Sequence, residues 1–337
     1  MREILETLCR RDSLTLDAAD ALFGRLIAGA LSEVEIAALL IALKAKGESP
    51  DEIAGAASAM RRAALALPTP ADLAVADTCG TGGDGAQTVN ISTAAALVVA
   101  EAGVPVAKHG NRSISSQCGS ADVLEQCGVR IDASPAVSAR ALDELGICFL
   151  FAPQYHAGMR HAMPVRRALR TRTIFNLIGP LANPARPRWQ IVGVYDPALC
   201  LPVAETLALL GCEAALVVHG SGLDEIALHG PTDAALQRAH EVRPLTIDPE
   251  MLGLARIGRD DLTGGDPASN AAWLSQLLGG KGNLAHSGAV AANAGALLWL
   301  AERAPSLKEG VRLASATLAS GRALARLRAW AELSRST

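Results

Sequence analysis

Residues 74–113 read AVADTCGTGGDGAQTVNISTAAALVVAEAGVPVAKHGNRS, and the alternation within them decides the fold. A β-rich run at 74–77 leads into a loop with four glycines in six residues; a helical run at 92–102 and a second β-rich run at 104–107 follow. Two short strands joined through a helix make a parallel β/α/β unit. The same texture continues downstream, with β-rich runs at 148–150, 190–194 and 214–218 and helical runs at 121–126, 135–145 and 199–210. It predicts an α/β fold with a mainly parallel central sheet and helices on its faces.

Working outward, residues 1–70 read as three or four short amphipathic helices. Ser32 and Glu35 form a capping box, and Ser49, Pro50 and Glu52 repeat it with proline at the first helical position. Gly29 and Gly47 stand where the preceding helices should stop. Pro68 and Pro70 break the pattern, so a small all-helical domain is expected over 1–70 and a larger α/β domain over 71–337. After Asp266 and Pro267 the chain reads as a helical C-terminal part, from 271 to 330, broken near 279–282 and at Pro305.

Composition removes several classes of function. With 50% hydrophobic and 19% charged residues, the 337-residue chain has the balance of a folded globular protein. Ten aromatic residues are too few for a base-stacking platform, and a net charge of −3 disfavours a surface that binds nucleic acid throughout. The longest apolar stretch, 289–301, is interrupted by Asn293 and Gly295 and is shorter than the ~20 residues a membrane span takes. The first eleven residues carry no apolar signal-peptide core. Seven cysteines without a Cys-x-x-Cys pair read as reduced thiols, and a cytoplasmic location is expected.

Three segments carry chemistry. The glycine loop satisfies G-x-G-x-x-G at Gly80, Gly82 and Gly85, yet a dinucleotide site wants an acid closing the next strand, whereas Glu101 falls at the end of the following helix. The loop suits a phosphate instead, with Ser92 and Thr93 able either to cap the helix or to hold the anion at its positive end. The second segment, KHGNRSISS at 108–116, starts where a strand ends and offers two cations and three hydroxyls to a polyanion. Lys108 is one of only five lysines, which singles it out from surface decoration. Ser120 either caps the next helix or donates to the same anion. In the third, Asp224 and Glu225 follow the strand at 214–218; adjacent carboxylates there suit Mg²⁺ bridging phosphates.

The sequence resembles the anthranilate phosphoribosyltransferase family along nearly its whole length. The likeness is carried by GTGGD at 80–84, NIST at 90–93, KHGNR at 108–112, GSADVLE at 119–125, FAPQYH at 151–156, RTIFN at 172–176, GPLANP at 179–184 and GLDE at 222–225. Departures, such as YHAGM at 155–159 where the family usually has YHPAM, replace no residue assigned to chemistry. The resemblance implies a helical domain completed by an inserted segment at about 158–184, and a homodimer joined through it. It implies transfer of the phosphoribosyl group of phosphoribosyl pyrophosphate (PRPP) to the amine of anthranilate, the second step of tryptophan biosynthesis. Gly80, Gly83, Asp84, Thr88, Asn90, Ile91, Ser92, Thr93, Lys108, Asn111, Arg112, Ser113, Ser115, Ser116 and Ser120 would then bind PRPP. Ser92 and Glu225 would hold one Mg²⁺, and Asp224 and Glu225 a second. Lys108, Asp224 and Glu225 would be catalytic. Gly80, Asn111, Arg166, His109, His156, Gly179 and Pro180 would meet anthranilate. The choice of Arg166 over Arg167 comes from the family alone.

Two rival readings stand beside this one. A pyrimidine nucleoside phosphorylase would share the layout and the phosphate loop; Asn111 and the stretch at 172–181 favour the transferase. A non-catalytic nucleic-acid-binding relative would use Arg303, Arg312, Arg322, Arg326 and Arg328 as a basic stripe, against which the charge of −3 and the Asp224–Glu225 pair argue.

Overall fold

The structure, a computed structural model, describes residues 1–70, 72–113 and 117–336. Four helices open the chain: α1 (Arg2–Cys9), α2 (Leu16–Ile27), α3 (Glu33–Lys46) and α4 (Pro50–Ala63). Both capping boxes form, with Ser32 and Ser49 Oγ accepting from the amides of Glu35 and Glu52 and the glutamates accepting in return. Glu52 is fully buried and also accepts from the Leu14 amide at 3.0 Å, while Lys46 Nζ lies 2.9 Å away. One carboxylate therefore pins the α1–α2 loop, the end of α3 and the start of α4 together. Gly47 ends α3 at φ 89°, a conformation glycine adopts without cost.

The α/β part continues with β1 (Ala76–Asp77), α5 (Ile91–Glu101), β2 (Val106–Gly110), α6 (Ser120–Gln126), α7 (Pro135–Leu145) and β3 (Ile147–Phe151). The single turn α8 (Ala152–Tyr155) and α9 (Met163–Leu169) precede β4 (Trp189–Gly193), α10 (Cys200–Leu209) and β5 (Ala214–Gly220). A hairpin, β6 (Thr232–Arg238) and β7 (Glu241–Ile247), leads to α11 (Pro267–Gln276), α12 (Leu284–Leu300), α13 (Leu307–Ala319) and α14 (Arg322–Ser334).

The seven strands lie in the order β3-β2-β1-β4-β5-β6-β7. Neighbours from β3 through β5 pair in parallel, and β5-β6 and β6-β7 pair antiparallel, so the sheet is mainly parallel as expected. The hairpin gave no sequence signal because its two-residue turn, Ala239 and His240, has positive φ at both positions without Gly, Asn or Asp. Pro244 inside β7 further disguises it, and is tolerated because β7 is the sheet's edge.

Two helix starts differ from expectation. Asn90 is the N-cap of α5, which puts Ser92 in its first turn, and Gly119 is the N-cap of α6, which leaves Ser120 as the first helical residue. Ser120 Oγ donates to the Asn111 carbonyl at 3.3 Å instead of capping.

Two apolar clusters fill the molecule. One packs α5, α12, α13 and α14 on a face of the sheet. The other runs from the α1–α4 helices through Ile174, Phe175 and Leu181 to Val192, Val203, Ala215 and Val217, so the helical bundle and the sheet's second face share one continuous interior. At the C-terminal end, Arg322 and Arg326 pair with Glu101, and Arg312 with Glu309, which makes this face an ion-paired surface and not a basic stripe. Among the described residues, no helix is long and apolar enough to cross a membrane.

Candidate active site

In the order β3-β2-β1-β4-β5, chain direction across the sheet reverses between β1 and β4, and parallel sheets open a crevice at the carboxyl ends of such strands. The loop after β1 carries the glycines, and the turn after β5 carries Asp224 and Glu225. They meet over the end of β4. A Cβ at Gly193 would lie 1.5 Å from the Asp224 carbonyl oxygen, and one at Gly80 would lie 2.8 Å from Asp224 Oδ2. Thr81 N–H donates to the Gly193 carbonyl at 2.8 Å. Only glycine at 193 lets the two loops close on one another, and a side chain at 80 would push the Asp224 carboxylate aside.

Hydrogen bonds complete the junction. Gly82 N–H donates to Asp224 Oδ2 at 2.8 Å, Asp224 N–H to Asp84 Oδ2 at 3.3 Å, and Ser92 N–H, in the first turn of α5, to Glu225 Oε1 at 3.1 Å. Lys108 projects from β2 into the same place, buried, with Nζ donating to Thr78 Oγ1 at 3.1 Å and to Ser92 Oγ at 3.4 Å. Burial, and then the neighbouring Asp84 carboxylate, pushes Asp224 up; burial and then Asp224 push Glu225 well up. Asp77, at the end of β1, rises to about 6 through burial, against the attraction of Lys108 and a hydrogen bond from Asn183.

Crowded, half-buried carboxylates on neighbouring loops fit a divalent cation, which would offset their mutual repulsion. Among the described residues no three His, Cys, Asp or Glu side chains converge as a closed cage. Mg²⁺ does not need one, since it takes one or two carboxylates and completes its shell with phosphate oxygens and water.

The phosphate-loop residues fall unevenly around this centre. Gly83 and Asp84 lie in the loop, Thr88 bridges to Thr263, and Ile91 opens α5. Asn90 is held by Cys118 and by Asn270 from α11. Thr93 Oγ1 is buried without a partner among the described residues. Ser113 N–H donates to Asp122. Arg112 does not join the centre: its guanidinium is turned onto Asp122 and Glu125, at 3.1 and 2.8 Å. Ser115 and Ser116 lie outside the described residues.

A second group lies toward the helical bundle. His109 Nδ1 is 3.0 Å from the Gly179 carbonyl oxygen, so Nδ1 carries the proton and Nε2 is a buried acceptor without a partner. Its ring stands edge-on to His156, 5.2 Å between centroids, and neither Nε2 has a hydrogen-bond partner among the described residues. Burial pushes His109 down to about 3, with His156 adding to the shift, and pushes His156 to about 4, so both are neutral. Pro180 accepts from Gln190 Nε2, and Asn111 is exposed with Oδ1 on the Arg112 amide. Arg166 is half-buried on α9, 5.3 Å above the Phe175 ring, whereas Arg167 is exposed.

Sequence reasoning missed several supports. Gly193 looked like an ordinary strand residue. Asn293 of α12 accepts from the Ile226 N–H at 2.9 Å and braces the acidic turn from below. Arg172 donates to the Gly83 carbonyl and lies 4.0 Å over the Tyr195 ring, joining the chain after α9 to the glycine loop. None of these follows a spacing rule, because each depends on how distant elements meet.

Comparison with known proteins gives a consistent result. Residues 72–324 match the glycosyl transferase family, a/b domain, and residues 2–64 match the helical bundle domain of the same family. A curated anthranilate phosphoribosyltransferase from Sorangium cellulosum is 59% identical over 99% of this chain and 96% of its own length. One from Aeromonas hydrophila is 51% identical over 96% of this chain and 94% of its own. Among solved structures, anthranilate phosphoribosyltransferase from Thermus thermophilus superposes with a TM-score of 0.94 at 44% identity, covering 99% of each chain. The Saccharomyces cerevisiae enzyme in complex with PRPP and Mg gives 0.84 at 27% identity, over 96% of this chain and 93% of that one.

Proposed function

As a member of the anthranilate phosphoribosyltransferase family, the chain transfers the phosphoribosyl group of PRPP to the amine of anthranilate, and we propose that it does so by positioning and charge stabilisation at the β1/β4 crevice. The relatives favour this reaction over a nucleoside phosphorylase or a nucleic-acid-binding role. The observation that carries the residue assignment is the junction itself, where glycine-loop amides, Lys108 and the Asp224–Glu225 turn are bonded to one another around a single point.

The anthranilate nitrogen forms a bond to C1 of the ribose as the C1–oxygen bond to pyrophosphate breaks, and the amine then sheds a proton. Pyrophosphate leaves with the bonding electrons, so stabilising its charge is the main task. The amides at Gly80 and Gly83 and the Lys108 ammonium offer donors held in place before the substrate arrives. Thr88, Asn90, Ser92, Thr93 and Ser120 would add contacts to PRPP. Mg²⁺, when bound, would neutralise pyrophosphate oxygens; Ser92 and Glu225 would hold one ion, and Asp224 and Glu225 a second. Its use is supported by the Saccharomyces cerevisiae enzyme, solved with PRPP and Mg.

Arg166 would grip the anthranilate carboxylate with two parallel hydrogen bonds. Asn111, Gly179 and Pro180 would line its path, and the empty Nε2 acceptor of His109 suits a visiting N–H donor. The Saccharomyces cerevisiae enzyme solved with 4-fluoroanthranilate supports a ligand of this type.

We also take residues 1–70 with the insertion at 158–184 as a helical domain, and residues 71–337 as the PRPP-binding domain. Exposed Val34 and Ile41 on α3 support a homodimer formed through the helical part. The seven free cysteines agree with a cytoplasmic location. Anthranilate fluorescence followed with PRPP tests the reaction: a fall that needs Mg²⁺, is stopped by EDTA and releases stoichiometric pyrophosphate is expected. No fall in folded protein would overturn it.

A further inference from the structure

The acidic turn begins with two glycines in three residues. From the last residue of β5 to Asp224 it runs Gly220, Ser221, Gly222, Leu223, with Ser221 at φ 47° and Gly222 at φ 94°. Two backbone hydrogen bonds close it, Gly220 N–H to the Leu223 oxygen at 2.8 Å and Leu223 N–H to the Gly220 oxygen at 3.0 Å. These bonds set the turn's own shape, and contacts outside it set its angle to the sheet, among them the Gly82 N–H on Asp224 and the Asn293 brace on Ile226. That angle decides where the Asp224 and Glu225 carboxylates stand.

His219, the next-to-last residue of β5, supplies a further tie. Gly222 N–H donates to His219 Nε2 at 3.2 Å, and a backbone amide can only donate, so Nε2 carries no proton. The proton is therefore on Nδ1, which donates to the Val194 carbonyl at 2.8 Å. A neutral imidazole in one defined tautomer links the chain leaving β4 to the turn leaving β5. The backbone beside it has no slack, since a Cβ at Gly193 or Gly220 would lie 1.5 Å from the Asp224 oxygen or 2.3 Å from the Glu225 oxygen.

We propose that His219 is a positioning residue for the Asp224–Glu225 pair, acting through Gly222 to fix both carboxylates against the glycine loop before PRPP and Mg²⁺ bind. It rests on the reading that these carboxylates serve PRPP and Mg²⁺. His219 touches neither substrate; it sets the orientation of the groups that do, as partners behind metal ligands do elsewhere.

His219→Phe removes both polar atoms, and His219→Gln keeps one donor and one acceptor. PRPP binding with Mg²⁺, measured by calorimetry without anthranilate, should weaken about 10- to 100-fold in His219→Phe and recover most of that in His219→Gln. The KM for anthranilate should stay within about twofold in both, because Arg166 lies on α9 and is not held by this turn. Long-range proton–nitrogen NMR of the wild-type protein should place the imidazole proton on Nδ1. Wild-type binding retained in His219→Phe would overturn the proposal, as would a proton on Nε2 or a Gln variant no better than Phe with both substrates equally affected. Wild-type protein that binds no PRPP would overturn the functional reading beneath it, a result distinct from variants that match a binding wild type.

Discussion

Arg166 and Arg167 are chemically identical neighbours in physically different places. Arg166 is half-buried over Phe175, and loss of water lowers its pKa, whereas Arg167 is exposed. A guanidinium already stripped of water gains more from a carboxylate than one that must shed its own hydration. Arg166→Ala should raise the KM for anthranilate about 10- to 100-fold and leave PRPP binding intact, and Arg166→Lys should recover little of it. Steady-state kinetics with each substrate varied checks this; an unchanged KM removes Arg166 from the site. His109 carries the pH prediction. Its folded-state pKa, about 3, lies below its ordinary value of 6.5, so below pH 6.5 the unfolded chain takes up a proton that the folded one refuses. The neutral ring's contribution is thus whole above pH 6.5 and is lost as pH falls toward 3. His109→Gln should flatten the acid-side decline in stability by up to about 1.4 kcal/mol per pH unit, read from urea unfolding at pH 7, 6, 5 and 4.

Elements show how far the sequence could be read. Helices with caps were legible, because Ser32-x-x-Glu35 and Ser49-x-x-Glu52 state their own starts, and five parallel strands were legible as apolar runs between helices. The β6–β7 hairpin was not, since Ala239 and His240 occupy left-handed positions that local preference argues against. Replacing them with Asn and Gly should stabilise the protein by about 1 kcal/mol, seen as a higher denaturation midpoint with an unchanged denaturant slope. The candidate site divides in the same way. Most residues assigned to it sit in contiguous motifs, whereas the contacts of Gly193, His219, Asn293 and Arg172 arise only because the fold brings β4, α12 and the chain after α9 to the same loops. Glu52 shows what a buried link between elements contributes. Cutting it to Ala would leave Lys46 buried without its carboxylate and the amides of Leu14 and Ser49 without their acceptor. Glu52→Ala should cost about 3–5 kcal/mol of folding stability, measured by denaturant unfolding.

At the scale of the molecule, a helical bundle and an α/β sheet need not unfold separately. The second apolar cluster joins α2, α3 and α4 to Val192 of β4, to Val194 just beyond it and to Ala215 and Val217 of β5 without a break, by way of Ile174, Phe175 and α10. Melting the bundle alone would strip one face of the sheet, so neither part has a stable state without the other. The four tryptophans make this testable, because all of them, at 189, 273, 299 and 330, lie outside α1–α4. Tryptophan fluorescence therefore reports the sheet side, while far-ultraviolet circular dichroism reports every helix. The two should give coincident denaturation curves. Phe23, fully buried on α2 and edge-on to Phe175 at 6.0 Å between centroids, lies on the bundle side of the seam. Phe23→Ala should destabilise the protein by about 3–5 kcal/mol and move both curves by the same amount. A circular dichroism loss that runs ahead of the fluorescence change, or a fluorescence midpoint untouched by Phe23→Ala, would mean that the bundle unfolds by itself and that the shared interior does not couple the two parts.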